Sequence, residues 1–360
     1  MASNTPRLDG LERNLYINGN MDFWQRGTSI SKSQGAYLYT ADRLKVGGGG
    51  GGSGAYTISR STDVPTLAQS GFNSLYSALW TTNTAATSSY FEMFHYIVEG
   101  YDYQQIHGKK VRLQFWVKSS ASGTYSLVLA GGGATVRSYV TTYTVTAANT
   151  WQKVAIDIQL ETLSAGFYNF DNTAGLYLFW ILGGNQVHTS TLNAWQTGSF
   201  YGTSSQTSTV LTTIGATFQI AQVSVIPQDF TLAGASNVDI PFQRAGRTIG
   251  HELAMCKRYC EVINKTATGH IANGYVASTT GAGLILNFEE KRVAPTISFS
   301  AASSYNILCG AAQTTCTSIG TSYIDVKSAN LVPNATGLSL GQAAILVSNT
   351  TTAIIIDAEL

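Results

Sequence analysis

The feature that most constrains this chain is the spacing of its apolar residues, which recur at the two-residue period of a strand almost throughout. In residues 151–160, Val154, Ile156 and Ile158 alternate with Lys153, Asp157 and Gln159, placing the apolar set on one face of a pleated strand. Residues 218–225 alternate in the same way and end at Pro227, and residues 111–117 are followed by a further run, 125–130, after the turn at Ser122 and Gly123. Residues 176–181 form a continuous apolar run closed by Gly183 and Gly184, the pattern of a strand buried on both faces. Short strands punctuated by Gly, Asn, Ser and Thr predict an all-β sandwich or barrel. The many Thr and Tyr residues suit a pleated, half-buried surface.

One stretch departs from this pattern. Residues 248–263 contain good helix formers, and Leu253, Cys256 and Cys260 would share one helical face. The expected organisation is an N-terminal arm (1–13), a β-sandwich domain (14–230), a linker with a short helix (231–263) and a smaller C-terminal β domain (264–360). Strands in the last are expected at 274–278, 284–288, 296–299, 323–326, 343–347 and 353–357. The tract 47–52 is all glycine and reads as a flexible loop between strands at 42–46 and 55–60. It lacks the Lys and following helix of a phosphate-binding loop.

Charge narrows the function classes. The chain has 21 Lys and Arg against 20 Asp and Glu, and charged residues make up 11% of it, under half of the roughly 25% usual in soluble domains. A net charge of +1 excludes the broad basic footprint of unspecific nucleic-acid binding. It also removes the repulsion that keeps monomers apart, so assembly with copies of itself is expected. Residues 1–14 have no apolar core, which argues against a secretory signal. The longest apolar run, 176–182, is far short of the roughly 20 residues of a membrane-spanning helix, so no membrane insertion is expected. Four cysteines, at 256, 260, 309 and 316, are too few for a disulfide scaffold and suggest synthesis in a reducing cytoplasm.

Residues able to carry catalysis are sparse. The five histidines (95, 107, 188, 251 and 270) show no zinc-helix spacing, and there is no nucleophile elbow. His95 reads as an ordinary strand residue. Cys256 and Cys260 could supply half of a thiolate metal site, but read better as buried thiols packing the helix on a sheet. Glu289, Glu290 and Asp239 are the carboxylates to consider for glycoside hydrolysis. Residues 289–292, Glu-Glu-Lys-Arg, read instead as a solvated turn. Trp80 and Trp195 sit in polar segments read as strand ends or loops, where a ring could stack on a sugar or pack at a subunit interface. Trp24, Trp116, Trp151 and Trp180 lie in strand patterns and are expected in the core.

The opening residues 14–27, NLYINGNMDFWQRG, resemble the start of many phage virion and tail-fibre proteins. Residues 39–44 (YTADRL), 218–223 (FQIAQV), 241–244 (PFQR), 252–260 (ELAMCKRYC) and 292–296 (RVAPT) are similar to further motifs of that family, in the same order. The resemblance implies a jelly-roll sandwich similar to carbohydrate-binding modules, then a small β domain. It also implies a structural calcium site at Asp22, although Gln222 stands where a second carboxylate would be expected. The preferred reading is a non-enzymatic virion structural protein, a fibre or fibre-like component on the tail or head. It would assemble as a homotrimer or other symmetric oligomer with other virion proteins. The alternative is a receptor-recognition module for host surface glycan, with Trp80 and Trp195 as contacts, and a third reading is a polysaccharide depolymerase.

Overall fold

The computed structural model describes residues 14–50, 52–87, 90–163, 166–184, 188–228 and 240–360. The expected N-terminal arm and Asp239 lie outside the described residues. The chain divides into two compact units, one reaching to Leu253 with Leu360 added, the other Ala254–Glu359.

In the first unit the strands are β1 (Ser29–Ser33), β2 (Leu38–Tyr39), β3 (Lys45–Gly49), β4 (Ala55–Ser61), β5 (Ser77–Thr84), β6 (Phe91–Glu99), β7 (Lys110–Ser119), β8 (Gly123–Gly131), β9 (Arg137–Val145), β10 (Gln152–Gln159), β11 (Ala174–Gly184), β12 (Trp195–Thr197) and β13 (Thr217–Pro227). One antiparallel sheet has the order β1-β4-β5-β13-β7-β10, the other β12-β9-β8-β11-β6-β3-β2. Inward side chains of both sheets, among them Tyr56, Trp80, Phe94, Phe115, Trp180 and Phe218, form one buried core. The expectation of a largely β chain with little helix is met, and in this unit two antiparallel sheets enclose one core.

The opening motif proves to be a fold clamp. Asn14 Nδ2 donates to Val223 O at 3.1 Å and Gln243 O at 3.0 Å, while its Oδ1 accepts from the backbone of Tyr16 and Val225, each at 2.9 Å. Asn18, in the left-handed region at φ 62°, donates from Nδ2 to Phe23 O and Asp42 O at 2.9 Å each. Asp42 in turn accepts from Gln25 Nε2 at 2.6 Å, which joins the first two motifs. A side chain on Gly19 would bring its Cβ within 2.1 Å of Val223 O, so only glycine fits there. Glu252 closes the clamp: its buried carboxylate accepts the backbone N–H groups of Asn18 and Gly246 at 2.5 Å each. At about 1 kcal/mol net per buried hydrogen bond, these contacts give residues of the opening motif a role in holding the fold.

Several expectations are corrected. The glycine tract is not a flexible loop at its start: Gly47, Gly48 and Gly49 belong to β3 and pair with Met93, Glu92 and Phe91 of β6. Small residues are needed there because neighbouring side chains lie across the strand. The helix runs only over α3 (Ile249–Lys257), the third helix after the four-residue α1 (Leu67–Ser70) and α2 (Gly100–Tyr103). Cys260 therefore opens a strand, because the branched Val262 and Ile263 that follow favour pairing over helix.

The second unit contains β14 (Cys260–Lys265), β15 (His270–Ser278), β16 (Gly281–Asn287), β17 (Thr296–Phe299), β18 (Tyr305–Cys309), β19 (Ala312–Thr315), β20 (Ser318–Ser322), β21 (Ser328–Asn334), β22 (Ala343–Ser348) and β23 (Thr352–Asp357). They form a three-stranded sheet, β14-β23-β17, and a seven-stranded one, β19-β18-β22-β15-β16-β21-β20. The strand expected at 323–326 is a turn between β20 and β21, with Tyr323 at φ 47° and 90% exposed. The supposed solvated turn also buries Lys291, whose Nζ binds Glu261 Oε2 and Glu289 O at 2.8 Å each. All four cysteines are buried.

Candidate functional site

A sandwich sheet usually turns polar residues outward. The outer face of the β6-containing sheet does the opposite. Register pairs His95 with Phe179, Met93 with Ile181, Tyr177 with Ala130 and Phe179 with Val128. These side chains share one face and form an apolar cluster separate from the core, with Phe200 and Tyr201 packed against it. Tyr177 and Phe179 lie parallel at 5.8 Å between ring centroids, and Phe91 stacks on Tyr201 at 4.5 Å. Ser138 Oγ donates to Gly198 O at 2.6 Å and accepts from Phe200 N at 3.3 Å, pinning the segment that carries the outer rings.

Between these groups lies a cleft of about 290 Å3, with Tyr37, His95, Tyr177, Phe179, Phe200 and Tyr201 in its lining. Tyr37 is 47% exposed and its ring lies against Gly47, where an added Cβ would fall 2.1 Å from Cδ1. The glycine strand thus makes the seat for a cleft-lining ring.

His95 is the unusual member. It is 6% exposed, its ring is 4.7 Å from that of Phe179 and 5.4 Å from that of Tyr177, and neither ring nitrogen has a hydrogen-bond partner among the described residues. Burial, then the positive charges of Lys45 and Arg43, push its pKa down to about 3, so the imidazole is neutral at physiological pH. It offers one donor and one acceptor. Leaving buried polar atoms unpaired costs about 1–3 kcal/mol, a cost that a ligand hydroxyl would relieve.

The residues singled out from sequence are placed elsewhere. Trp80 is fully buried, against Tyr56 at 4.5 Å and Phe94 at 6.1 Å, so it presents no ring to a sugar. Its polar neighbours Thr81 and Asn83 are simply the outward half of an alternating strand. Trp195 is half-buried on β12, with Nε1 donating to Gln159 O at 2.8 Å; it lines a different cleft. Asp22 is held by Arg244, Nε to Oδ2 at 2.7 Å, and by Asn20 Nδ2 at 2.8 Å. Gln222 Nε2 reaches Ser74 Oγ at 2.8 Å, and Ser74 Oγ donates to Asn20 Oδ1 at 2.6 Å. A guanidinium and neutral amides thus occupy the surroundings expected to hold calcium, and this donor set does not fit a hard dication. Among the described residues no three His, Cys, Asp or Glu side chains gather as a metal site.

Sequence reasoning missed Tyr177, Phe179 and His95 because burial on both faces and an outward aromatic face give the same apolar run. Only the register that aligns β6 with β11 brings them together.

No protein-family model and no curated protein matches the chain. Several solved structures do. The enzymatically active domain of tailspike protein 4 of bacteriophage CBA120 is 13% identical over 60% of this chain, with a TM-score of 0.31. This chain spans about a fifth of that protein's length, 21%. A tandem of family 22 carbohydrate-binding modules from Paenibacillus barcinonensis is 9% identical over 97% of both chains, with a TM-score of 0.31. A family 11 carbohydrate-binding module from Clostridium thermocellum, in complex with a mixed-linked tetrasaccharide, is 10% identical over 55% of this chain and 96% of its own, with a TM-score of 0.26. The assignment of a site rests on this chain's own residues.

Proposed function

We propose that the protein is a non-catalytic glycan-binding β-sandwich whose ligand lies in the aromatic cleft on the outer face of the β6-containing sheet. The observation that carries this reading is His95, buried beneath Tyr177 and Phe179 with both ring nitrogens unpartnered among the described residues. Aromatic faces take the C–H face of a pyranose, and the neutral imidazole takes a hydroxyl. Among the described residues lining the cleft, none is acidic or basic apart from this histidine, which favours an uncharged glycan. The same lining has no carboxylate and so lacks the acid–base pair of a glycoside hydrolase. Affinity electrophoresis through gels containing neutral polysaccharides tests the reading. Retardation by at least one of them, with no loss of solution viscosity, is expected; unretarded migration through a broad panel would overturn it.

The virion role is a second reading, and the second unit favours its assembly component. Asn273, Tyr275, Ile285, Leu308, Asn330 and Ile345 share the outer face of the seven-stranded sheet by register. Tyr275 and Ile285 are 59% and 56% exposed, and none of the six is charged. Such a face suits burial against copies of the same chain in a fibre-like component. Light scattering should give a symmetric oligomer, a homotrimer by preference, that Ile285→Lys dissociates. A wild-type monomer at high concentration would contradict this second reading.

A further inference from the structure

A second cleft, about 430 Å3 in volume, lies along the edge of the sandwich, with Tyr139, Glu161, Leu163, Asn193 and Trp195 in its lining. It lies beside the ends of β10 and β12, the terminal strands of the two sheets. Trp195 bridges them through Nε1, which donates to Gln159 O at 2.8 Å. With its one polar atom engaged, the indole is fixed in place. Tyr139 stands beside it at 5.5 Å between centroids and 51° between planes.

The polar members of the lining are equally fixed. Glu161 accepts from Arg137 Nε at 3.0 Å, from Arg137 Nη2 and from the Tyr168 hydroxyl at 3.0 Å. Its charge is balanced, yet a carboxylate retains capacity for a further donor. Asn193 Oδ1 accepts from Thr141 Oγ1 at 2.7 Å, which orients the side-chain amide. Leu163, 41% exposed, adds an apolar surface. An aromatic plane, a fixed acceptor and an oriented amide within one cleft are the groups that hold a pyranose. Among the described lining residues Glu161 is the one charged side chain and its charge is already balanced by Arg137, so the cleft suits a neutral sugar over a uronic acid.

This cleft is separate from the face cleft. Ser138 lines the face cleft and Tyr139 the edge cleft, and adjacent strand residues point to opposite sides of a sheet. We propose that the edge cleft is a second, independent binding site for neutral saccharide, so that one sandwich engages a glycan chain at two points. Two weak sites on one body raise avidity for a polymer without further contacts.

Tryptophan emission gives the test, because the other five tryptophans are all 8% exposed or less and acrylamide quenching therefore reports chiefly on Trp195. The full chain is titrated with cellohexaose, xylohexaose and mannohexaose, and with trigalacturonate as the anionic probe. At least one neutral hexasaccharide should protect Trp195 from acrylamide, in the wild type and equally in Tyr177→Ala, and trigalacturonate should not. Calorimetry should give two sites, falling to one in Trp195→Ala and remaining two in Trp195→Phe, whose ring keeps the plane without the indole signal. Absence of protection by every neutral probe would overturn the proposal, as would protection that disappears in Tyr177→Ala. Protection that survives while Tyr177→Ala leaves calorimetric binding unchanged would support the edge site and count against the face cleft alone.

Discussion

Lys32 of one sheet and Glu92 of the other meet at 2.5 Å with both side chains fully buried. Glu92 also accepts Gly35 N at 3.0 Å, and the Lys32 ammonium lies over the rings of Tyr56 and Trp80 at 5.5 and 5.9 Å. Burial pushes the Glu92 carboxyl up and the Lys32 ammonium down, each opposed by its partner. Removing one partner leaves the other charge buried and uncompensated, which costs about 3–5 kcal/mol. Urea unfolding should show that loss for Lys32→Met or Glu92→Leu alone. The double variant should recover most of it, because an apolar pair of similar volume avoids both desolvation terms.

Gly47→Ala is expected to separate binding from stability. Its Cβ would meet the Tyr37 ring at 2.1–2.2 Å and push an exposed side chain aside. Because Gly47 is a buried strand position but Tyr37 is 47% exposed and its ring can turn toward solvent, stability should fall by only about 1 kcal/mol. Saccharide affinity at the face cleft should fall about tenfold, equivalent to roughly 1.4 kcal/mol. Calorimetry beside a thermal melt checks both.

The ion pair of Asp22 with Arg244 predicts stability that does not depend on calcium. Excess EDTA and millimolar calcium should each leave Tm unchanged. Arg244→Ala should lower stability by about 2–3 kcal/mol, the worth of charge-assisted hydrogen bonds, because Asp22 is 5% exposed at its side chain and loses its charged partner, keeping, among the described residues, only Asn20. A calcium-dependent rise in Tm of the wild type would refute this account of the site.

His95 predicts a pH dependence of stability. Its ordinary pKa is 6.5 and the folded value is about 3, so the unfolded chain takes up a proton that the folded chain refuses. The contribution is complete above pH 6.5 and is lost as pH falls toward 3, by about 1.4 kcal/mol per unit. Unfolding free energies of the wild type and His95→Phe, measured from pH 7 to 4, should differ in slope by one proton. Parallel slopes would contradict the assignment.

The strands of the first unit were largely legible because alternation and apolar runs follow from burial, as in β7, β8 and β10. The glycine tract was misread because composition signals flexibility, whereas pairing with β6 and the rings of Tyr37 and Phe91 decide the conformation. Trp80 was misread because polar neighbours mark a loop and the outer half of a strand alike. The face cleft was not legible: Tyr37, His95, Tyr177 and Tyr201 are far apart in sequence, and only sheet register and one pinned loop bring them together. The motifs at 14–27, 39–44 and 252–260, by contrast, were visible at once, and the structure gives them a packing role through Asn14, Asn18, Asp42 and Glu252.

The central claim is tested most directly by calorimetric titration of the full chain, wild type and Tyr177→Ala/Tyr201→Ala, with neutral hexasaccharides at pH 7. The face-cleft account predicts binding by the wild type and at least a tenfold loss at one site in the double variant, with the fold retained at the titration temperature by circular dichroism. Equal affinity and stoichiometry in the two proteins would contradict it.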